Sequence, residues 1–498
     1  MSINGVGYRN AYLNYSTLNI KRQMDTLLNQ LSSGKVSDTY AGQGVDRGFA
    51  VSLRAQLSLY EAFASTATNV NTRISVANLS LQGVDDISTQ LRAAANNTDL
   101  TVNIYGQTNG QVNARGAFED ALALLNTQAG GRYLFSGRAT DTPPTVSADV
   151  IFNGDGAKAG LNQLINERRQ ADVGASGLGR VTIAMPTTTS ITLSEDVPGS
   201  VFGMKLSGVN SNLSGATVIG PPTSPQPISI DFGTTNPQNG EKITIAFTLP
   251  DGTTENITLT ATTDNPPPPN SFDIGADSAE TAANFNDKLT GAVRDLANTK
   301  LVAASAMQAS EEFFGSVPPM RVDGPPFDTA TALRAGTPDD SVIWYTGEDA
   351  GDSARGTATV KVDNSISVSY GARANEDAIR LQLQTFAVYA AVTAPATDPN
   401  ARGQLAALND RVALALAPKT GSQSIQNIQA DFAGAQLAVK AAGDRHTQAK
   451  AMAQSMLDKI EGVNQEEVVA KFLALQTSLT ASFQVTSMLA QNTLTRYI

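Results

Sequence analysis

An α+β chain in which two helical ends enclose a strand-rich middle is the fold the sequence predicts, and three observations carry that expectation. Stretches near both ends repeat apolar residues at steps of three and four, the signature of helices with one buried stripe. Between them, over 145–270, Thr, Ser, Gly and Pro dominate and the apolar residues alternate, as strands require. The order helices, strands, helices lets the two ends meet. The expected architecture is a pair of long antiparallel terminal helices forming a coiled-coil rod, with a β-rich α+β domain inserted. The expected divisions are 1–140 for the N-terminal rod, 141–340 for the inserted domain, and 341–498 for a strand return and C-terminal rod.

The first helix carries Leu13, Thr17, Ile20, Met24, Leu27 and Leu31 in alternating steps of four and three, the spacing of a coiled-coil seam. Gly34, Gly42, Gly44 and Gly48 then break the periodicity into a loop over 30–48. A second long helix is expected over 49–97 and a shorter one over 113–128, ended by Gly130-Gly131. GGRYLFSG at 130–137 reads as a short aromatic strand. In the middle, 228–232, 243–249 and 257–259 read as strands, the last two joined by a Pro250-Asp251-Gly252 hairpin. The tract 266–269 is a stiff exposed loop of prolines. A helical stretch over 278–314 is expected to break near Thr299. Strand-like segments follow at 342–345, 357–362 and 366–370, then helices at 377–391, 400–416 and 422–461.

The last helix, expected over 466–497, has no Gly or Pro and places Val468, Phe472, Leu475, Leu479 and Phe483 at steps of three and four, with Leu489 beyond. At 1.5 Å per residue it would run about 48 Å and needs a partner of similar length. The first helix is the candidate. The expected assembly interface is therefore Leu13, Ile20, Met24, Leu27, Leu31, Phe472, Leu475, Leu479, Phe483 and Leu489. Around these positions stand Asn, Gln and Ser with few charges, a face suited to packing against further copies of the same helices.

Composition narrows the function. Only 16% of the 498 residues are charged, and the net charge of −11 offers no basic stripe for a nucleic acid. With no Cys and one His, a disulfide framework, a thiolate metal site and the usual His-based sites are excluded. The amino terminus lacks the basic and apolar run of a cleavable signal, and no apolar stretch is long enough for a membrane span. The carboxylate pairs Asp85-Asp86, Asp339-Asp340 and Glu466-Glu467 diverge on a helix and do not converge on one substrate atom. His446 is expected to face solvent. Trp344 is expected either in a strand core or as an exposed aromatic that stacks on carbohydrate. No catalytic constellation and no cofactor site is expected.

QLSSGK at 30–35, followed by the second helix with Arg54, and LNTQAGGRYLFSGRATDTPP at 125–144 give the chain a resemblance to the flagellin family of bacterial flagellar proteins. The resemblance covers roughly 1–140 and 340–498. Within the family, 125–144 and the ending Arg496-Tyr497-Ile498 are more similar to the hook–filament junction branch than to filament flagellins. It implies a structural, non-enzymatic subunit that leaves the cell through the flagellar type III channel without a cleaved signal. It also implies an extracellular place on the flagellum. The implied partners are further copies of itself, other axial proteins (hook-associated proteins and flagellin), and an export chaperone on the C-terminal helix. A filament flagellin is the nearest alternative, and a secreted carbohydrate-binding adhesin the next.

Overall fold

The computed structural model describes residues 4–221, 224–419 and 421–491. Its helices are α1 (Asn4–Ser33), α2 (Arg47–Ala95), α3 (Asn109–Leu125), α4 (Ala148–Asn153), α5 (Leu161–Val173), α6 (Ser278–Asn298), α7 (Lys300–Gly315), α8 (Asp377–Ala391), α9 (Ala401–Ala415), α10 (Ile425–Glu461) and α11 (Gln465–Gln491). Its strands are β1 (Val181–Ala184), β2 (Ser190–Glu195), β3 (Lys205–Ser211), β4 (Thr217–Ile219), β5 (Ile228–Asp231), β6 (Lys242–Thr248), β7 (Thr254–Thr262), β8 (Ser271–Asp273), β9 (Met320–Val322), β10 (Leu333–Ala335), β11 (Thr359–Lys361) and β12 (Ser367–Ser369). The chain is thus α+β. It divides into two units: one takes in the chain up to Asn71, Val360–Val368 and the chain from Gln436, the other Thr72–Thr359 and Ser369–Ala435. The unit borders fall inside α2 and α10, away from the composition change near residue 145.

In the larger unit, β1-β2-β5-β4 form one antiparallel sheet and β3-β6-β7-β8 a second, in which only β7 and β8 run parallel. The expected hairpin joins β6 to β7. Gly252 takes φ +77, which only a residue without Cβ adopts easily, and Leu249 N–H donates to Thr253 O at 2.8 Å. Alternation buries Ile243, Ile245 and Phe247 on one face of β6, and α6 closes that core with Phe285, Leu289 and Val293. Phe232, Phe272 and Phe285 meet there edge to face or tilted, with centroids 5.2–6.2 Å apart. Asp277 caps α6 by accepting from Glu280 N–H at 2.9 Å. The break expected near Thr299 is present, where the backbone leaves the helical region and separates α6 from α7. The helices α5, α8 and α9 pack on α7, and α3 packs on α8.

Two expected strands do not form. At 130–137 the positive φ of Gly130, Gly131 and Gly137 prevents extension, leaving the isolated bridges Gln128↔Tyr133 and Ser136↔Arg373. Phe135 is nonetheless fully buried, so the aromatic pattern reports burial rather than a ladder. Likewise 342–345 contributes only the bridge Thr145↔Tyr345. Trp344 is a core residue: it is 1% exposed, packs against Phe314, and its indole N–H donates to Phe314 O at 3.1 Å. An exposed stacking role is thereby excluded for it.

In the smaller unit, Ala50, Leu53, Ala453 and Leu457 form a core between α2 and α10, with Leu57 and Ile460 against it. His446 corrects the expectation of a solvent-facing ring. It is buried, stacked on Phe63 with centroids 5.0 Å apart and near Tyr60, and its Nε2 lies 2.8 Å from Val362 O. Charged neighbours Asp444 and Arg445 point the sequence reader outward. The helical period turns the ring that follows them inward, where the Val362 carbonyl meets its polar edge. No helix among the described residues is long and apolar enough to cross a membrane.

Candidate assembly interface

Among the described residues, α1 and α11 pack against each other. Where α1 ends and α11 begins, Lys35 bridges Gly462 and Val463 N–H donates to Gly34 O at 3.1 Å; farther along the pair, the Thr17 and Ser482 hydroxyls lie 3.4 Å apart. Residue numbers rise on one helix as they fall on the other, so the pair is antiparallel. Gly34, at φ +66, ends α1 in the left-handed conformation that suits glycine. Asn464 caps α11 by accepting from the N–H groups of Glu466 and Glu467, whose carboxylates suit the positive end of the helix.

The seam follows the expected spacing on α1, where Leu13, Ile20, Met24, Leu27 and Leu31 are all half-buried. On α11 it runs through Val468, Phe472, Leu475, Leu479 and Ser482, of which only Val468 is fully buried. Phe483 lies outside it. After Leu479 the next seam position three residues on is Ser482, and the following residue turns 100° away, which leaves Phe483 57% exposed. The side chain of Leu489 lies outside the described residues. Apart from Val468, the two helices leave part of each seam side chain uncovered.

Much of what remains uncovered is apolar. Tyr12, Tyr15 and Leu18 on α1 and Leu473, Phe483, Val485 and Met488 on α11 stand exposed. From Phe472 to Gln491 α11 has no charged residue at all. A groove of 420 Å³ opens along the pair, lined by Gln23, Leu27, Gln30, Lys471 and Leu475 among others. Exposed apolar side chains along an uncharged helical stretch are the kind of surface found at places of association.

A polar clasp at the base of the pair was not legible beforehand, although Arg54 stood out in the sequence. Glu461, the last residue of α10 and 7% exposed, accepts from Arg54 Nε at 3.0 Å and NH2 at 2.6 Å and from Gln43 Nε2 at 3.1 Å, while its carbonyl accepts from Val36 N–H at 2.7 Å. One residue thus ties the loop after α1, the start of α2 and the turn into α11. The hydrogen bonds from Arg54 hold the Glu461 carboxyl below its ordinary value, against the opposing effect of burial. A lowered carboxylate stabilises above its ordinary range and loses that contribution as the pH falls through its depressed value. Glu461→Gln keeps the size but removes the charge and one acceptor of the fork. We expect a loss of about 1–3 kcal/mol and faster proteolysis in the loop 34–46; unchanged cleavage there would show that Glu461 does not hold the loop.

The described residues contain no group of three or more His, Cys, Asp or Glu able to hold a metal ion. No family model matches the chain, and no curated protein matches it.

Proposed function

We propose that this chain is a structural subunit of a bacterial flagellum that assembles through its paired terminal helices at the hook–filament junction. The observation that carries the reading is the α1–α11 pair, whose seam is incompletely covered and whose α11 exposes apolar side chains and has no charged residue beyond Lys471. In this reading the pair is extended by neighbouring copies into a coiled-coil rod, and each added helix covers what a monomer leaves exposed. Subunits related head to tail, without closure of a small ring, build helical or tubular assemblies.

The resemblance of 30–35 and 125–144 to the flagellin family, and of the latter to its junction branch, supplies the biological setting. With it come export through the type III channel without a cleaved signal, an extracellular position, a chaperone on the C-terminal helix, and contacts with hook-associated proteins and flagellin. The reading gives the chain no catalytic step. The inserted domain of 141–340 is the variable part, outside the polymer contacts. A filament flagellin would use the same helical surface, and copy number separates the two, since a junction needs few copies and a filament very many.

The test is electron microscopy of cells lacking the protein. Hooks without filaments, with flagellin shed into the medium, are expected. Filaments of normal length on normal hooks would overturn the junction role.

A further inference from the structure

Apart from the terminal helices, the larger unit contains a cleft of 370 Å³ where α2, α8, the end of α9 and the start of α10 come together. Two of its polar side chains lack a hydrogen bond among the described residues. Ser88 is only 6% exposed and lines the cleft, yet its hydroxyl makes no hydrogen bond among the described residues. On the facing helix, by contrast, the Thr385 hydroxyl bonds back to Leu381 O at 2.7 Å. Across the cleft, the amide oxygen of Gln382 is enclosed without a donor. A buried polar atom without a partner, as the Gln382 oxygen is, carries a cost that a bound donor removes.

The charges add direction. Arg92 lies one turn beyond Ser88 on α2, lines the cleft, and forms no ion pair among the described residues. Lys419 on the rim is likewise without an ion pair among them. At the other end Asp85 accepts from Gln426 Nε2 at 3.0 Å through Oδ2, which leaves Oδ1 able to accept another donor.

We propose that this cleft binds a hydroxyl-bearing organic acid of the size of an acidic monosaccharide. The carboxylate would sit on Arg92, which can hold it through two parallel N–H donors. The ring hydroxyls would donate to Asp85 Oδ1 and the Gln382 amide oxygen and accept from Ser88. The volume is at the small end of ligand sites, which suits a single sugar and excludes a large cofactor. The site lies outside the terminal helices and does not depend on their role in assembly.

The experiment is calorimetric titration of the full chain with D-glucuronate, D-galacturonate and N-acetylneuraminate, with D-glucose as the neutral control. At least one acid is expected to bind with millimolar affinity or better, with glucose weaker by about tenfold or more, the worth of one charged hydrogen bond. Arg92→Gln, an exposed side chain whose replacement leaves the fold intact, is expected to weaken the acid by a similar factor and leave glucose unchanged. Ser88→Ala is expected to weaken both. Absence of binding by all three acids overturns the proposal, and so does equal binding of acid and glucose or affinity unaffected by Arg92→Gln.

Discussion

Arg168→Met is expected to destabilise the larger unit by about 3–5 kcal/mol, the usual consequence of leaving a buried charge without its partner. Arg168 on α5 is 3% exposed and serves two carboxylates at once: its Nε donates to Asp172 at 2.8 Å and its NH1 to Glu312 on α7, while NH2 reaches Val201 O at 3.1 Å. The guanidinium also lies over the Phe202 ring, 4.9 Å from its centroid. Asp172 is fully buried and accepts from Gly203 N–H at 2.8 Å and from the Ser305 hydroxyl, so the network binds α5, α7 and the 200–203 loop together. Met retains the apolar stem and tests the charge by itself.

The same variant has a signed dependence on pH. Burial is the strongest influence on Glu312 and pushes its carboxyl up even in the presence of Arg168. Without Arg168 the rise is larger. A carboxylate raised in the folded state contributes stability that is present below its ordinary value and lost as the pH rises through the folded value. The deficit of Arg168→Met is therefore expected to shrink on mild acidification. Urea unfolding followed by the fluorescence of the single Trp344, which packs on Phe314 two residues from Glu312, reads this region directly. A deficit under about 1 kcal/mol, or one that does not change between neutral and mildly acid pH, would show that the pairing is not what holds the network.

Phe483→Asp is expected to abolish assembly while leaving the monomer as stable as before. An exposed position away from any network tolerates substitution within about 0.5 kcal/mol, and Phe483 is such a position in the isolated chain. In an assembly, burying the ring would contribute about 1.5–3 kcal/mol per subunit, and an unpaired carboxylate in its place would oppose every contact. Leu475→Asp, in the half-buried seam, is expected to lower both the stability of the helix pair and assembly. Sedimentation and electron microscopy of purified protein, with thermal unfolding alongside, separate the two effects. Polymers of normal abundance from Phe483→Asp would place the outer face of α11 outside the subunit contacts.

The sequence determined the α+β class, the positions of the long helices, the β6–β7 hairpin, the break at Thr299 and the seam on α1. These are local properties: a 3.6-residue period, an alternation of two, a Pro-Asp-Gly turn and a run without Gly or Pro act within a few residues of themselves. For the same reason Asp377–Ala391 coincides with the helix expected from its spacing. What the tertiary structure decided depends on residues far apart in the chain. Aromatic residues at 130–137 and 342–345 read as strands because burial and strand pairing leave the same apolar mark, and only the glycine backbone and the available neighbours separate them. His446 became a core residue because Phe63 and Val362 O meet it from distant segments. Arg54 and Glu461, 407 residues apart, and the Arg168 network spanning 168–312 carry no periodicity that foretells their partners. Phe483 shows the limit most sharply: steps of three and four admit both 482 and 483 after Leu479, and only the packing of α1 assigns Ser482 to the seam and leaves the Phe ring facing outward.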